Sequence, residues 1–442
     1  PCASICDDGL FNVKFRWNIY LVRYIFAVFL SALMLFASDF IAIRFLGDVR
    51  CTIPLRILAL SMPFMALAAC LKGWFIARLK VTVTASASLL EQIIKIGVIA
   101  LFLNVFLANT NDIGALCTGI VMGVTVSEIC SFTYLYLFKL FPSRKNKEPF
   151  TPTESKRDSM RSLISVTLPI SLSVYLTSIL HTAETLLIPY VFESYSGDRS
   201  YALSQFGMIR GMVVPILFFP FAFLGSLVSV FTPEISRLNM LSDRRPLNAR
   251  ISSLMSFVSV ISVAVGGLFF FLNYQIGETF YPNESTAYAI KILSVVTPFM
   301  YVETVCDGLL KAIGEQVQTL KFSVYNSILR VILILTFVSK TGERGYLILL
   351  VISNTFTYAL CRYRLYKVTG VKPRVYTDVL LPLACAVLGG GAVLLVLSKL
   401  PLSSVAAQCV AGSSVYLGVF CALITLFAFE RFKALYFRLR VS

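Results

Sequence analysis

Charge is scarce in this sequence. Of its 442 residues only 14% are charged and a single one is histidine. Soluble domains carry about 25% charged residues, and the mean hydropathy here is +0.80, so the chain is read as an integral membrane protein. Catalytic signatures are missing too: there is no G-x-S-x-G elbow, no P-loop and no H-E-x-x-H. The longest loop, 139–161, is too short and too polar to form a domain. No enzyme is expected, and without a nucleotide site any transport is secondary, driven by an ion gradient, the membrane potential or the substrate gradient. The 11 cysteines form no C-x-x-C pair and no Cys/His cluster at ligand spacing. They read as small apolar packing residues, which implies no disulfide, metal or other cofactor. No cleavable signal peptide is expected from these residues, and the sequence opens on Pro1 rather than Met.

What the chain has instead is long apolar runs. Crossing about 30 Å of hydrocarbon takes about 20 apolar residues in a helix. Twelve such runs lie near 18–45, 55–77, 83–107, 113–138, 163–192, 201–232, 252–277, 286–310, 318–338, 345–366, 376–398 and 402–428. They are continuous rather than alternating and twice as long as a tilted strand, which excludes a β-barrel. The expected fold class is all-α, a polytopic membrane helical bundle with twelve transmembrane helices.

The net charge of +16 reflects topology. Taking the loop FPSRKNKEPFTPTESKRDSMR (141–161) as cytoplasmic places the N-terminus, 72–80, 234–250, 311–321, 362–374 and the C-terminal tail on the same side. Those segments hold 27 of the 39 Lys and Arg, the opposite loops hold 8, and Arg23, Lys95, Arg210 and Arg330 fall within helices. This matches the positive-inside rule with both termini cytoplasmic, and attraction to anionic lipid headgroups is a secondary effect. No nucleic-acid partner is implied.

The chain also repeats itself at an offset of 235. RILALSMPFMALAACLKGWF (56–75) lies over KILSVVTPFMYVETVCDGLL (291–310), and TASASLLEQIIKI (84–96) over TLKFSVYNSILRV (319–331), without a gap. Lys95 thereby pairs with Arg330, Gly73 with Gly308, and FLGD (45–48) with FYPN (280–283). In the second copy two helices precede the matched region; their counterparts would fall upstream of Pro1. The expectation is therefore a truncated first lobe of four helices over 1–141 and a basic cytoplasmic linker over 142–161. A six-helix lobe over 162–368 comes next, then a helix pair with a basic tail over 369–442. Such parallel repeats are related by an axis along the membrane normal, and transporters built this way bind substrate between their halves and rock to alternate access. The run LGGGAVLLVL (388–397) suggests close packing on small residues.

A charge at mid-bilayer costs about 2.5–3.5 kcal/mol on insertion scales, so each one is a functional candidate. Arg210, in FGMIRGMVVPILFFP (206–220), has no acid within ten positions and precedes Pro215 and Pro220, which can bend the helix. It reads either as an anion contact in a central cavity or as an arginine held by a neighbouring carboxylate. Glu184, three residues after His181 and on its face, is open to two readings: a partner for Arg210, or a proton or Na⁺ site. His181 itself is either a proton carrier or a packing residue. Glu91–Lys95 and Asn326–Arg330, at i,i+4 in the two copies, are either self-neutralised pairs or two cations presented to a shared cavity. Glu303, Asp307 and Lys311 form an i,i+4,i+8 ladder, read as structural or gating.

Three stretches carry a resemblance: SQFGMIRGMVVPILFFPFAFLGSLVSVFTPEISRL (204–238), LRILALSMPFMALAACLKGWFIA (55–77) and GLLKAIGEQ (308–316). Together they resemble the stage V sporulation protein B branch of the multidrug/oligosaccharidyl-lipid/polysaccharide exporter superfamily, which includes MurJ-type lipid II flippases. The likeness runs from about residue 15 to 430. It implies a fourteen-helix, two-lobed transporter of the bacterial cytoplasmic membrane that moves undecaprenyl-diphosphate-linked saccharides by alternating access. Its partners would be that polyprenyl-diphosphate-linked saccharide and membrane lipids, and it would act as a monomer. By the same resemblance Arg210 and Pro215 occupy an R-x-x-x-x-P element of the cationic cavity, and Glu184 an acidic position tied to cation coupling. Asn326 stands where close relatives carry Asp, and the last helix pair would line a groove for the lipid tail. The alternative on the same fold is a cation-coupled multidrug antiporter, against which Arg210, Lys95 and Arg330 argue.

Overall fold

The computed structural model describes residues 13–77, 80–106, 113–140, 156–241, 243–372, 374–399 and 404–440. Among them every regular element is helical, as hydrocarbon requires of segments that must satisfy their own backbone. The expected 142–161 linker lies mostly outside the described residues. The helices are α1 Val13–Phe40, α2 Thr52–Ala77, α3 Val81–Phe106, α4 Ile113–Leu140 and α5 Lys156–Ser196. After them come α6 Arg199–Gly207, α7 Phe221–Asn239, α8 Arg245–Phe271, α9 Asn273–Phe280 and α10 Glu284–Ala312. The last four are α11 Gln316–Leu333, α12 Ser339–Thr369, α13 Leu381–Lys399 and α14 Val405–Arg440.

Ten described segments are long and apolar enough to cross a membrane, against twelve runs read from the sequence. Part of the difference is local. The runs at 318–338 and 345–366 fall in one apolar stretch, Gln316–Thr369, with no loop between them; a kink at Gly342 is what separates the two helices. Gly342 has φ 62 and ψ −141, a region open essentially to glycine, and a Cβ there would strike the Tyr195 ring. The 163–192 run lies in α5, outside those ten.

Two compact units divide the chain, one up to Val174 and one from Tyr175. In the first, α2 packs on α1 and α4, and α4 also packs on α3; Phe75, Leu135 and Ala87 sit at its core. The second repeats this neighbour order with α10 on α8 and α12, and α12 on α11. Bounds agree as well. Shifting α2 and α3 by 235 residues puts the end of α2 at Ala312 and the start of α3 at Gln316, where α10 ends and α11 begins. Even the entry caps correspond: Asp48 accepts from the Arg50 N–H at 2.9 Å, and Asn283 from the Ser285 N–H at 2.9 Å. Each is a short acceptor that satisfies a donor the helix start leaves open.

Within the second unit α13 and α14 pack on each other and on α8 and α9. Gly267 leaves no room for a Cβ against Tyr416, nor Gly390 against Phe271, and Gly389 would bring one into tight contact with Tyr416, so small residues here seat aromatic rings at close range.

The run read as one helix over 201–232 is remodelled. From Gly207 the chain enters a π-turn, Met208–Val213, then resumes as Val214–Phe218 before a turn at Phe219–Pro220 leads into α7. Pro215 follows the π-turn by two residues, and its missing N–H removes a rung that the α ladder would need to run straight through. At Pro220 the backbone stays helical (φ −65, ψ −24), so the chain bends there without breaking. The Tyr301 hydroxyl of α10 enters the gap, donating to the Leu217 carbonyl beside the Phe221 N–H, an insertion of the kind that kinks helices.

Candidate functional site

In the second unit a cavity of about 180 Å³ collects His181 and Glu184 from α5, Glu303 from α10, Asn326 and Arg330 from α11, and Asn354 and Thr357 from α12. Four of the sequence-derived candidates meet in it. Its centre is an ion pair. Arg330 Nη1 lies 3.4 Å from Glu184 Oε2, and Arg330 Nε donates to Ser353 Oγ at 3.0 Å. Glu184 is 2% exposed, and a carboxylate so far from water needs a partner such as this guanidinium to offset its burial. Asn326 Oδ1 is buried and has no hydrogen-bond donor.

The geometry corrects two expectations. Glu184 pairs with Arg330 of α11 and not with Arg210. The i,i+4 bond between Asn326 and Arg330 does not form either, since the guanidinium is drawn to the full charge of Glu184, and charge-assisted bonds outcompete neutral ones.

Arg210 sits in the π-turn beside the hydroxyl of Tyr346, which is 1% exposed, with its Nε and Nη2 buried and without acceptors among the described residues. It is a cation with no carboxylate partner among the described residues. His181 is exposed at the cavity edge, where its Nδ1 lies 3.3 Å from Thr185 Oγ1.

The first unit solves the related positions differently. Glu91, 8% exposed, takes a 2.9 Å bond from Lys72 Nζ of α2, while Lys95 Nζ is 3.8 Å away. By sequence position Lys72 counts as a cytoplasmic loop charge. Its side chain instead reaches back into the helices, as a long amphipathic stem allows. Glu303, by spacing the first rung of a ladder, stands apart from it as well; only Asp307 and Lys311 form that ladder, at 2.6 Å, and Glu303 faces the cavity. Its signal in the sequence is an acid in mid-helix, the same signal that singles out Glu184.

Comparison with known proteins adds the context. The profile of a family described as "Polysaccharide biosynthesis protein" matches residues 14–239. Stage V sporulation protein B of Bacillus subtilis (strain 168) is 22% identical over 298 residues, covering 66% of this chain and 56% of that protein. The chain thus aligns with little more than half the length of that relative. Among solved structures, lipid II flippase MurJ in an inward closed conformation superposes with a TM-score of 0.66 at 14% identity, covering 97% of this chain and 90% of that one. An inward-facing multidrug resistance MATE family transporter of the MOP superfamily gives 0.61 at 16% identity, covering 84% and 88%.

Proposed function

This chain belongs to the polysaccharide biosynthesis protein family, whose members are transporters of the MOP superfamily and not enzymes, and from that premise we propose that it flips a lipid-linked precursor. The substrate class is an undecaprenyl-diphosphate-linked oligosaccharide or peptidoglycan precursor such as lipid II, carried outward across the cytoplasmic membrane by alternating access. Both termini of this chain face the cytoplasm, and the 235-residue repeat marks its two lobes.

The observation that carries the reading is Arg210, a cation whose Nε and Nη2 are buried and find no acceptor among the described residues. Leaving buried donors unsatisfied is costly, and a diphosphate offers the acceptors. A guanidinium's planar fork fits phosphate oxygens better than an ammonium does. Glu184, Arg330 and Asn326 then form the coupling site, where Na⁺ or a proton would compete with the internal guanidinium for Glu184.

The test is complementation of a strain depleted of its lipid II flippase by the full-length protein. Arg210→Ala is expected to lower precursor flipping about ten- to hundredfold, the worth of one charge-assisted bond, with unchanged abundance in the membrane. Normal growth on Arg210→Ala would remove the assignment.

One observation favours a second reading, a cation-coupled multidrug antiporter: Glu184 and Glu303 line the same cavity, and carboxylates bind organic cations. Robust efflux of a cationic dye with no effect on precursor flipping would decide for it.

A further inference from the structure

A second cavity, of about 420 Å³, opens where the first turns of α8 meet the chain that leaves α12. Its polar walls are Asn248, Ser252 and Ser253 on one side and Lys372 and Arg374 on the other. This volume falls within the roughly 300–1,000 Å³ of small-molecule sites. Gly370 ends α12 in the left-handed conformation, φ 73, which glycine adopts at little cost. Val371 is then buried, its N–H on Thr369 Oγ1 at 3.3 Å. The start of the connector is thereby anchored, and Lys372 and Arg374 line the cavity opposite α8.

Three observations point to a ligand. No Asp or Glu lines the cavity, and neither Lys372 nor Arg374 pairs with a carboxylate among the described residues. Neighbouring cations are already engaged: Arg250 holds Glu234 at 2.9 Å and Arg364 holds Glu315 at 2.8 Å. The Ser252 and Ser253 hydroxyls make no hydrogen bond among the described residues, whereas Ser262 on the same helix donates to the Ser259 carbonyl at 2.9 Å. Finally, Asn248 Oδ1 is buried and has no donor, an arrangement that carries a desolvation penalty unless a ligand supplies one.

Cations that lack an acceptor and an amide oxygen that lacks a donor define one ligand chemistry. We infer that this cavity binds a phosphate ester that also carries a hydrogen-bond donor, as the glycerol-phosphate headgroup of an anionic lipid does. Lys372 and Arg374 take the phosphate oxygens, the two serine hydroxyls donate to them, and Asn248 Oδ1 accepts from the ligand's free hydroxyl. The cavity belongs to the basic loops 234–250 and 362–374, where anionic headgroups concentrate. Occupancy would brace the connector that leads into α13. It involves none of the residues of the transport cavity.

The full chain in detergent, titrated with short-chain phosphatidylglycerol and read by native mass spectrometry, tests this. Lys372→Ala/Arg374→Ala is expected to weaken binding about tenfold or more, a loss of 1.4 kcal/mol per factor of ten. Lys399→Ala, outside the cavity, serves as the control and leaves binding unchanged. Phosphatidylcholine, which has no free donor, should bind more weakly than phosphatidylglycerol. A parallel arm with glycerol 1-phosphate separates the sources: weaker binding assigns the site to the lipid, and equal binding assigns it to a soluble ester, both within the inference. Should the double variant fail to fold, Asn248→Leu takes its place and should narrow the preference for phosphatidylglycerol over phosphatidylcholine. Equal phosphatidylglycerol binding by wild type and double variant, equal binding of phosphatidylcholine, or an undiminished preference in Asn248→Leu would overturn it.

Discussion

Two polar clusters lie 235 residues apart and are built on corresponding helices, yet they balance their charges in different ways. In the first unit Glu91 is shared by two lysines, at 2.9 and 3.8 Å. In the second the acid's position is Asn326, and the cation, Arg330, takes its counter-charge from Glu184 on α5 at 3.4 Å. The first arrangement is redundant, since either lysine still faces the acid when the other is lost. The second rests on one pair, and its orphaned Asn326 Oδ1 leaves the site open to an added ligand. Redundancy suits a scaffold, and a single pair suits a switch.

The sharpest way to break this contrast is Glu184→Gln. Arg330 would keep only Ser353, and removing one partner of a buried pair costs about 3–5 kcal/mol. A clear drop in thermal unfolding midpoint in detergent is expected, recovered in Glu184→Gln/Arg330→Gln while transport stays lost. An unchanged midpoint in the single variant would mean the pair contributes nothing. Next in size, Lys72→Met in the first unit should cost about 1–3 kcal/mol. Lys95→Met, losing only a long i,i+4 contact, should cost about 0.2–0.5 kcal/mol. The reverse order in the same unfolding assay would contradict the sharing described for Glu91. Opposite in sign to each other are the paired glycines. A Cβ at Gly308 would meet Val228 while one at Gly73 meets nothing within 4 Å. Gly308→Ala should destabilise by about 1 kcal/mol, and Gly73→Ala should stabilise by about 0.5–1 kcal/mol. Midpoints that shift in the same direction would show that the two copies pack alike after all.

Much of this is legible in the sequence, and for identifiable reasons. Apolar runs dictate helices because hydrocarbon offers the backbone no other partner, and the repeat foretells the shared bounds of α2 with α10 and of α3 with α11. His181, Glu184, Asn326 and Arg330 stand out as charges or polar groups in apolar helices, and the fold gathers them. Pairing is where the sequence misleads. Spacing along the chain sees partners one turn away, so it offers Asn326 to Arg330 and cannot see Glu184, 146 residues earlier. It assigns Lys72 to a loop because a helix end is placed by its backbone, whereas a lysine's charge sits several bonds away. Gly342 is legible only in part: the glycine in K-T-G-E-R permits a break, but nothing there says that the chain kinks with no loop between the two helices.

The π-turn at Met208–Val213 has a consequence for how this helix varies between relatives. A π-turn is one residue added to an α-helix without interrupting it, and each added residue rotates the remainder of the helix by about 100°. Deleting Gly211 would close the turn and swing Pro215, Leu217 and everything after them around the helix axis, while Arg210 kept its place relative to α6. The face that the second half of this helix presents is therefore set by an insertion or deletion of a single codon, a change that substitution-by-substitution comparison would never register.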